Sequence, residues 1–161
     1  MDKKEGQFHT FRGYQLLKQE KTQLTPSMED YLEMIYRTHI KEGYIRINQL
    51  AVLLNVQAPS ATRTVQKLAE IDLVDYEKYG IVKLTEEGTR IGKILLDRHI
   101  LVESFLSKIG VSKTLLRDTE MIEHNISMEA LKSIELFNYF LEDNPDILEA
   151  FGRFKKSQGN G

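Results

Sequence analysis

The sequence predicts a mainly α protein, with a winged helix-turn-helix in its N-terminal part and an all-helical second half. Three observations predict it. Two short helical segments, 49–54 and 60–68, are joined by Asn55-Val-Gln57, the spacing of a helix-turn-helix. Two strand-like runs, 73–77 and 81–84, flank Lys78-Tyr-Gly80, which reads as a hairpin with glycine at its tip, a wing. Beyond the hairpin the apolar spacing is helical as far as Asn144-Pro145, where proline ends the pattern.

The bounds agree with this class. A chain of 161 residues fits one domain or two small ones, and 41% hydrophobic residues is too many for wholesale disorder. No stretch is apolar for long enough to span a membrane. The charged start Met1-Asp-Lys-Lys-Glu-Gly6 leads into no apolar core, so the expectation is a cytoplasmic protein with no membrane partner. Zero cysteines exclude disulfides, thiolate zinc sites and a cysteine nucleophile. A net charge of −2 argues weakly against a strongly basic nucleic-acid binder, since one domain's sign can mask another's.

Taken in order, residues 1–24 are polar around Phe8, Phe11, Tyr14, Leu16 and Leu17, a short amphipathic helix or a loose arm. Thr25-Pro-Ser-Met-Glu29 starts a helix, with Thr25 or Ser27 as cap, Pro26 in the first turn, and Glu29 and Asp30 at the positive dipole end. Gly43 ends it. Residues 44–47 read as a short strand and Asn48 as the cap of the next helix. Ala58 and Pro59 open the second helix of the pair, with Ala61, Val65 and Leu68 on its inner face. Thr85 caps a long helix running to about Ile109, with Glu86 and Glu87 in its first turn. Breaks follow at Gly110 and around Ser127. From there Leu131, Ile134, Leu136, Phe137, Phe140 and Leu141 form a broad apolar stripe, either intrachain core or a homodimer interface.

In a helix-turn-helix the second helix enters the major groove N-terminus first. The polar residues between its core positions are Gln57, Ser60, Thr62, Arg63, Thr64 and Lys67. Arg63 and Lys67 suit phosphates, Ser and Thr suit phosphates or base edges, and Gln57 suits bidentate reading of adenine. Lys78 in the wing joins this set. Any one of these residues is equally at home on a solvated helix face; the whole constellation of helix, turn, helix and wing is more specific for double-stranded DNA.

A second chemistry is written in Glu120-Met-Ile-Glu123-His124. On a helix, positions i, i+3 and i+4 share a face, and two carboxylates with an imidazole suit a divalent metal. Asp30 and Glu33 lie at i, i+3 on the first helix; His99 and Glu103 lie at i, i+4 on the long one. Taken singly, each of these residues reads as a surface charge, and a buried structural histidine is a rival reading for His99.

Thr25-Pro-Ser-Met-Glu-Asp-Tyr-Leu-Glu33, Val65-Gln-Lys-Leu68, Tyr76-Glu-Lys-Tyr79, Arg98-His99 and Ile122-Glu-His124 occur in this order in one family. The chain resembles the metal-dependent repressors of the diphtheria toxin repressor family, manganese-sensing branch, over residues 25–144. The resemblance implies a winged-helix DNA-binding domain (25–88) and an all-helical metal-binding and dimerisation domain (89–144); residues 1–24 form an N-terminal extension that departs from it, and 145–161 read as a C-terminal helix and tail. It implies a homodimeric Mn(II)-responsive repressor of metal-ion uptake genes, with two Mn(II) per subunit on Asp30, Glu33, His99, Glu120, Glu123 and His124. Metal between the domains would order the dimer on a palindromic or pseudopalindromic operator, whose successive grooves lie about 34 to 36 Å apart.

Departures from the family matter too. In the iron-sensing branch sulfur ligands stand where this chain has Asp30 and Glu120; hard oxygens favour Mn(II), with Fe(II) the alternative. Gly80 directly follows Tyr79 where a basic residue is expected first, which weakens the case for wing-phosphate contact. A metal-independent winged-helix regulator would share the N-terminal evidence. A di-metal hydrolase would share the acidic cluster, but no nucleophile-bearing glycine-rich loop or phosphate cradle is visible, so no enzyme activity is expected.

Overall fold

The computed structural model describes residues 24–159. The chain divides into two compact units, the first ending at Asp97 and the second beginning at Arg98. Among the described residues no helix is long and apolar enough to cross a membrane.

The first unit opens with α1 (Pro26–Glu42). The Thr25 hydroxyl accepts from the Met28 amide at 3.3 Å, and Pro26 occupies the first turn, where its missing N–H costs nothing. Gly43 closes α1 with φ 80°, donating its N–H to the His39 carbonyl, a left-handed stop that a side chain would strain. Strand β1 (Ile45–Arg46) leads at once into α2 (Ile47–Leu53). Here the expected Asn48 cap is corrected. Arg46, extended at φ −89° and ψ 144°, occupies the cap position without a side-chain bond, because β1 pairs as Ile45↔Val82 and Arg46↔Ile81 and the chain turns directly after.

Helix α3 (Ala58–Glu70) buries Ala61, Val65 and Leu68, the inner face read from periodicity. The hairpin follows as β2 (Val74–Glu77) and β3 (Ile81–Leu84), in a three-stranded antiparallel sheet of order β1-β3-β2. Leu73 stays outside the ladder: its N–H goes to the Leu68 carbonyl and its carbonyl accepts from the Thr85 amide. Helix α4 (Glu86–Lys108) is capped by Thr85, whose hydroxyl accepts from the Gly88 amide at 2.9 Å and donates to the Asp72 carbonyl at 2.7 Å. Leu32, Ile35, Ile45, Leu50, Val65, Leu68, Val82, Ile91 and Leu95 gather into one continuous aliphatic core.

The second unit contains the remainder of α4, then α5 (Leu115–Glu123), α6 (Met128–Asp143) and α7 (Pro145–Ser157). Ser127 caps α6, accepting from the Ala130 amide at 3.1 Å. Phe105 and Phe137 meet edge to face at 6.2 Å, and Lys108 pairs with Glu142 at 2.7 Å. Lys155 of α7 donates to the Ile109 carbonyl beyond the end of α4, where a cation complements the helix dipole. The apolar stripe read on α6 splits. Leu131 and Leu141 are buried, while Leu136, Phe137 and Phe140 are exposed. Asn138 occupies a buried position between them, donating to the Leu101 carbonyl at 3.1 Å.

Candidate metal centre and nucleic-acid interface

In the second unit two helices bring the candidate ligands together. Helix α4 carries Arg98, His99 and Glu103; α5 carries Glu120 and Glu123, and His124 caps its C-terminus. The centre of the cluster is the Glu123 carboxylate, only 1% exposed. His99, 5% exposed, places Nδ1 at 2.9 Å from Glu123 Oε2. His124 lies on the other side, its Nε2 3.8 Å from Glu123 Oε1.

The proton positions follow from the neighbours. A carboxylate only accepts, so His99 donates from Nδ1, leaving Nε2 turned toward Glu103 Oε2 at 3.5 Å. Arginine only donates, so His124 Nδ1 accepts from Arg98 Nη2 at 3.4 Å, which assigns its proton to Nε2 on the Glu123 side. Two imidazoles thus direct N–H groups at the two oxygens of one buried carboxylate. One carboxylate and two imidazoles without a thiolate are a fitting donor set for a divalent cation that accepts oxygen and nitrogen. A neutral imidazole ligates through the nitrogen without a proton, so a metal at either of these nitrogens requires the ring's proton on the other one.

The other expected ligands are placed as follows. Glu120 is exposed on α5, one turn before the buried Glu123, so the shared face read from the i, i+3 spacing is split between solvent and interior. Asp30 and Glu33 lie one turn apart on α1 of the first unit, where Glu33 is buried and its Oε1 accepts from Arg37 Nε at 2.9 Å. Arg98, 3% exposed, is a site residue that ligand-type reasoning missed. Its signal was present in Arg98-His99, next to an expected ligand.

In the first unit, α3 turns Arg63, Gln66, Lys67 and Glu70 outward, opposite its buried face. Gln57 is exposed at its N-cap. Ser60, Thr62 and Thr64 are partly buried, and the Thr62 and Thr64 hydroxyls donate to the carbonyls of Ala58 and Ser60. Each retains lone pairs and a methyl group for contact. Gln66, not singled out from sequence, shares the exposed face with Arg63 and is equally available; helical spacing from Arg63 was its signal. Lys78 is exposed in the wing.

Comparison with known proteins gives consistent answers. Residues 23–82 match the iron dependent repressor N-terminal DNA binding domain, and residues 85–152 match the iron dependent repressor metal binding and dimerisation domain. The HTH-type transcriptional regulator MntR of Listeria welshimeri is 47% identical over 127 residues, covering 78% of this chain and 89% of that protein. The MntR regulator of Geobacillus kaustophilus is 44% identical over 139 residues, covering 85% and 98%. Among solved structures, that of the manganese regulator SloR aligns with a TM-score of 0.62 at 30% identity, covering 71% of this chain; the chain spans 54% of that structure's length.

Proposed function

The chain belongs to the iron-dependent repressor family of DNA-binding transcriptional regulators, and on that premise we propose that it is a repressor answering to Mn(II) and controlling metal-ion uptake genes. The observation that carries the reading is the buried Glu123 carboxylate with an imidazole at each oxygen, in the half of the chain matching a metal-binding and dimerisation domain. Support for manganese comes from the carboxylates Asp30 and Glu120, hard ligands at positions where sulfur marks the iron sensors. We assign His99, Glu123 and His124 to metal coordination, with the two imidazoles at different oxygens of the Glu123 carboxylate. Asp30, Glu33 and Glu120 join them on the family resemblance, enough donors for two cations per subunit.

A bound cation supplies the positive charge that the buried carboxylate otherwise draws from imidazole protons. The protein's own groups then set the response. Arg98, 3.4 Å from His124 Nδ1, orients the His124 ring, as outer partners orient ligands generally. Gln57, Ser60, Thr62, Arg63, Thr64, Gln66, Lys67 and Lys78 form the proposed DNA contact set. A homodimer presents two such sets, which requires a palindromic or pseudopalindromic operator. Coupling between metal and DNA is reciprocal and is of order 1 to 3 kcal/mol.

The test is a labelled duplex selected by the protein from a random library in the presence of Mn(II), followed by fluorescence anisotropy. Binding should tighten about 5- to 150-fold with Mn(II) relative to chelator; equal affinity in the two conditions overturns the proposal. The family's iron-dependent description favours one second reading, Fe(II) as effector. The same titration under anaerobic Fe(II) separates the two, since the true effector tightens binding at the lower free concentration.

A further inference from the structure

We propose that Tyr79 is a DNA-contacting residue of the wing, held at the hairpin tip so that its ring lies on a deoxyribose and its hydroxyl reaches a backbone phosphate. The inference rests on the DNA-binding reading above and adds to it a contact that carries no charge.

Three observations on the described residues carry it. Tyr79 is 90% exposed, more than any other large hydrophobic side chain, so intrachain packing does not explain a bulky aromatic there. Its backbone is left-handed, φ 64° and ψ 21°. Three non-glycine residues have positive φ, and the other two, Asn55 and Asp72, are of the types that tolerate this region through short polar side chains. A tyrosine does so only under backbone strain. The chain thus keeps a strained, fully displayed aromatic where glycine would sit at ease.

The tip is also well positioned. Gly80 follows at φ 72°, and a Cβ there would meet Ile47 Cγ2 at 2.9 Å, so the turn backbone lies directly on the first residue of α2. Across the hairpin Lys83 and Glu77 are paired at 2.9 Å. A tyrosine mounted beside the helix-turn-helix in this way offers a flat apolar face for sugar and a hydroxyl donor for phosphate, and tyrosine is among the side chains that contact DNA backbone. Lys78, exposed beside it, supplies the cation that the tip itself lacks.

The experiment uses the full chain with Mn(II) and the selected duplex, comparing Tyr79→Gly, Tyr79→Phe and Lys78→Ala over a salt series. Glycine removes the left-handed strain, so Tyr79→Gly should melt at or above the wild-type temperature and keep its Mn(II)-induced thermal shift. Its DNA affinity should nevertheless fall about tenfold, as expected for losing a hydrogen bond to a charged group with its packing. Tyr79→Phe should lose part of this. Neither should change the salt dependence, whereas Lys78→Ala should lower the slope of log affinity against log salt by about 0.9 if it neutralises one phosphate. Wild-type affinity in Tyr79→Gly overturns the proposal while leaving the DNA reading intact, and it would assign the exposed ring to a protein partner instead. Absence of DNA binding by the wild type itself removes the premise, and the proposal with it.

Discussion

Leu32, Ile35, Leu50, Val65, Leu68 and Val82 fill the first unit; the second buries Arg98, His99, Thr119, Glu123 and Asn138 while Leu136, Phe137, Phe140 and Phe154 stay exposed. The first has a continuous aliphatic core, and its buried Glu33 carboxylate pairs with Arg37 on the same helix. The second unit sets a buried charged cluster beside a smaller aliphatic core of Val102, Leu106, Leu131 and Leu141. Its family match names metal binding and dimerisation, a cation for the cluster and a second copy of the chain for exposed apolar side chains. Metal should therefore act on stability first through the second unit.

The comparison can be broken or sharpened by experiment. The largest effect should come from Leu32→Ala in the aliphatic core, costing about 2 to 5 kcal/mol in urea denaturation, the same with Mn(II) and with chelator. A metal-dependent loss would show that the first unit is not self-sufficient. Next, Mn(II) at about a hundredfold its Kd should stabilise the wild type by about 2.7 kcal/mol. Glu123→Ala should erase that gain; a retained thermal shift would move the metal elsewhere. A smaller effect is expected at Asn138, whose Oδ1 is buried without a hydrogen-bond partner. Replacing it with leucine removes that unpaired oxygen but also the bond to the Leu101 carbonyl, so the net change should stay within about 1 kcal/mol, read from the denaturation midpoint.

The smallest effect concerns Glu135, where burial pushes the carboxyl above its usual range and the Tyr139 hydroxyl offsets part of the shift. A raised folded value means the native state holds its proton longer, so this carboxylate costs stability above its folded pKa, and the cost disappears as pH falls through it. Glu135→Gln should therefore stabilise at neutral pH by less than about 1 kcal/mol and be indistinguishable from wild type under acid conditions. An equal gain at both pH values would rule out titration as the cause.

What the sequence made legible follows the range of the interaction. The caps at Thr25 and Thr85, the stop at Gly43 and the inner face Ala61, Val65, Leu68 all depend on residues within a turn or two, and each was readable. Asn48 failed as a cap because strand pairing at Arg46, set by residues far along the chain, decides where α2 begins. The metal cluster was half legible. Glu123 and His124 are neighbours in the chain, but the 2.9 Å approach of His99 joins residues 24 apart, and no local period encodes it. For the same reason Glu120 could be given a helical neighbour from sequence but not its exposure.

The hydroxyl of Thr85 has one proton and spends it on Asp72, so only its lone pairs remain for the Gly88 amide. Asp72 is itself left-handed, at φ 59°, and the Thr85 amide is tied to the Leu73 carbonyl. The exit of α3, the base of the wing and the first turn of α4 therefore meet at one residue. None of the three can fray without disturbing the others, and their amides should exchange with solvent as a single cooperative unit.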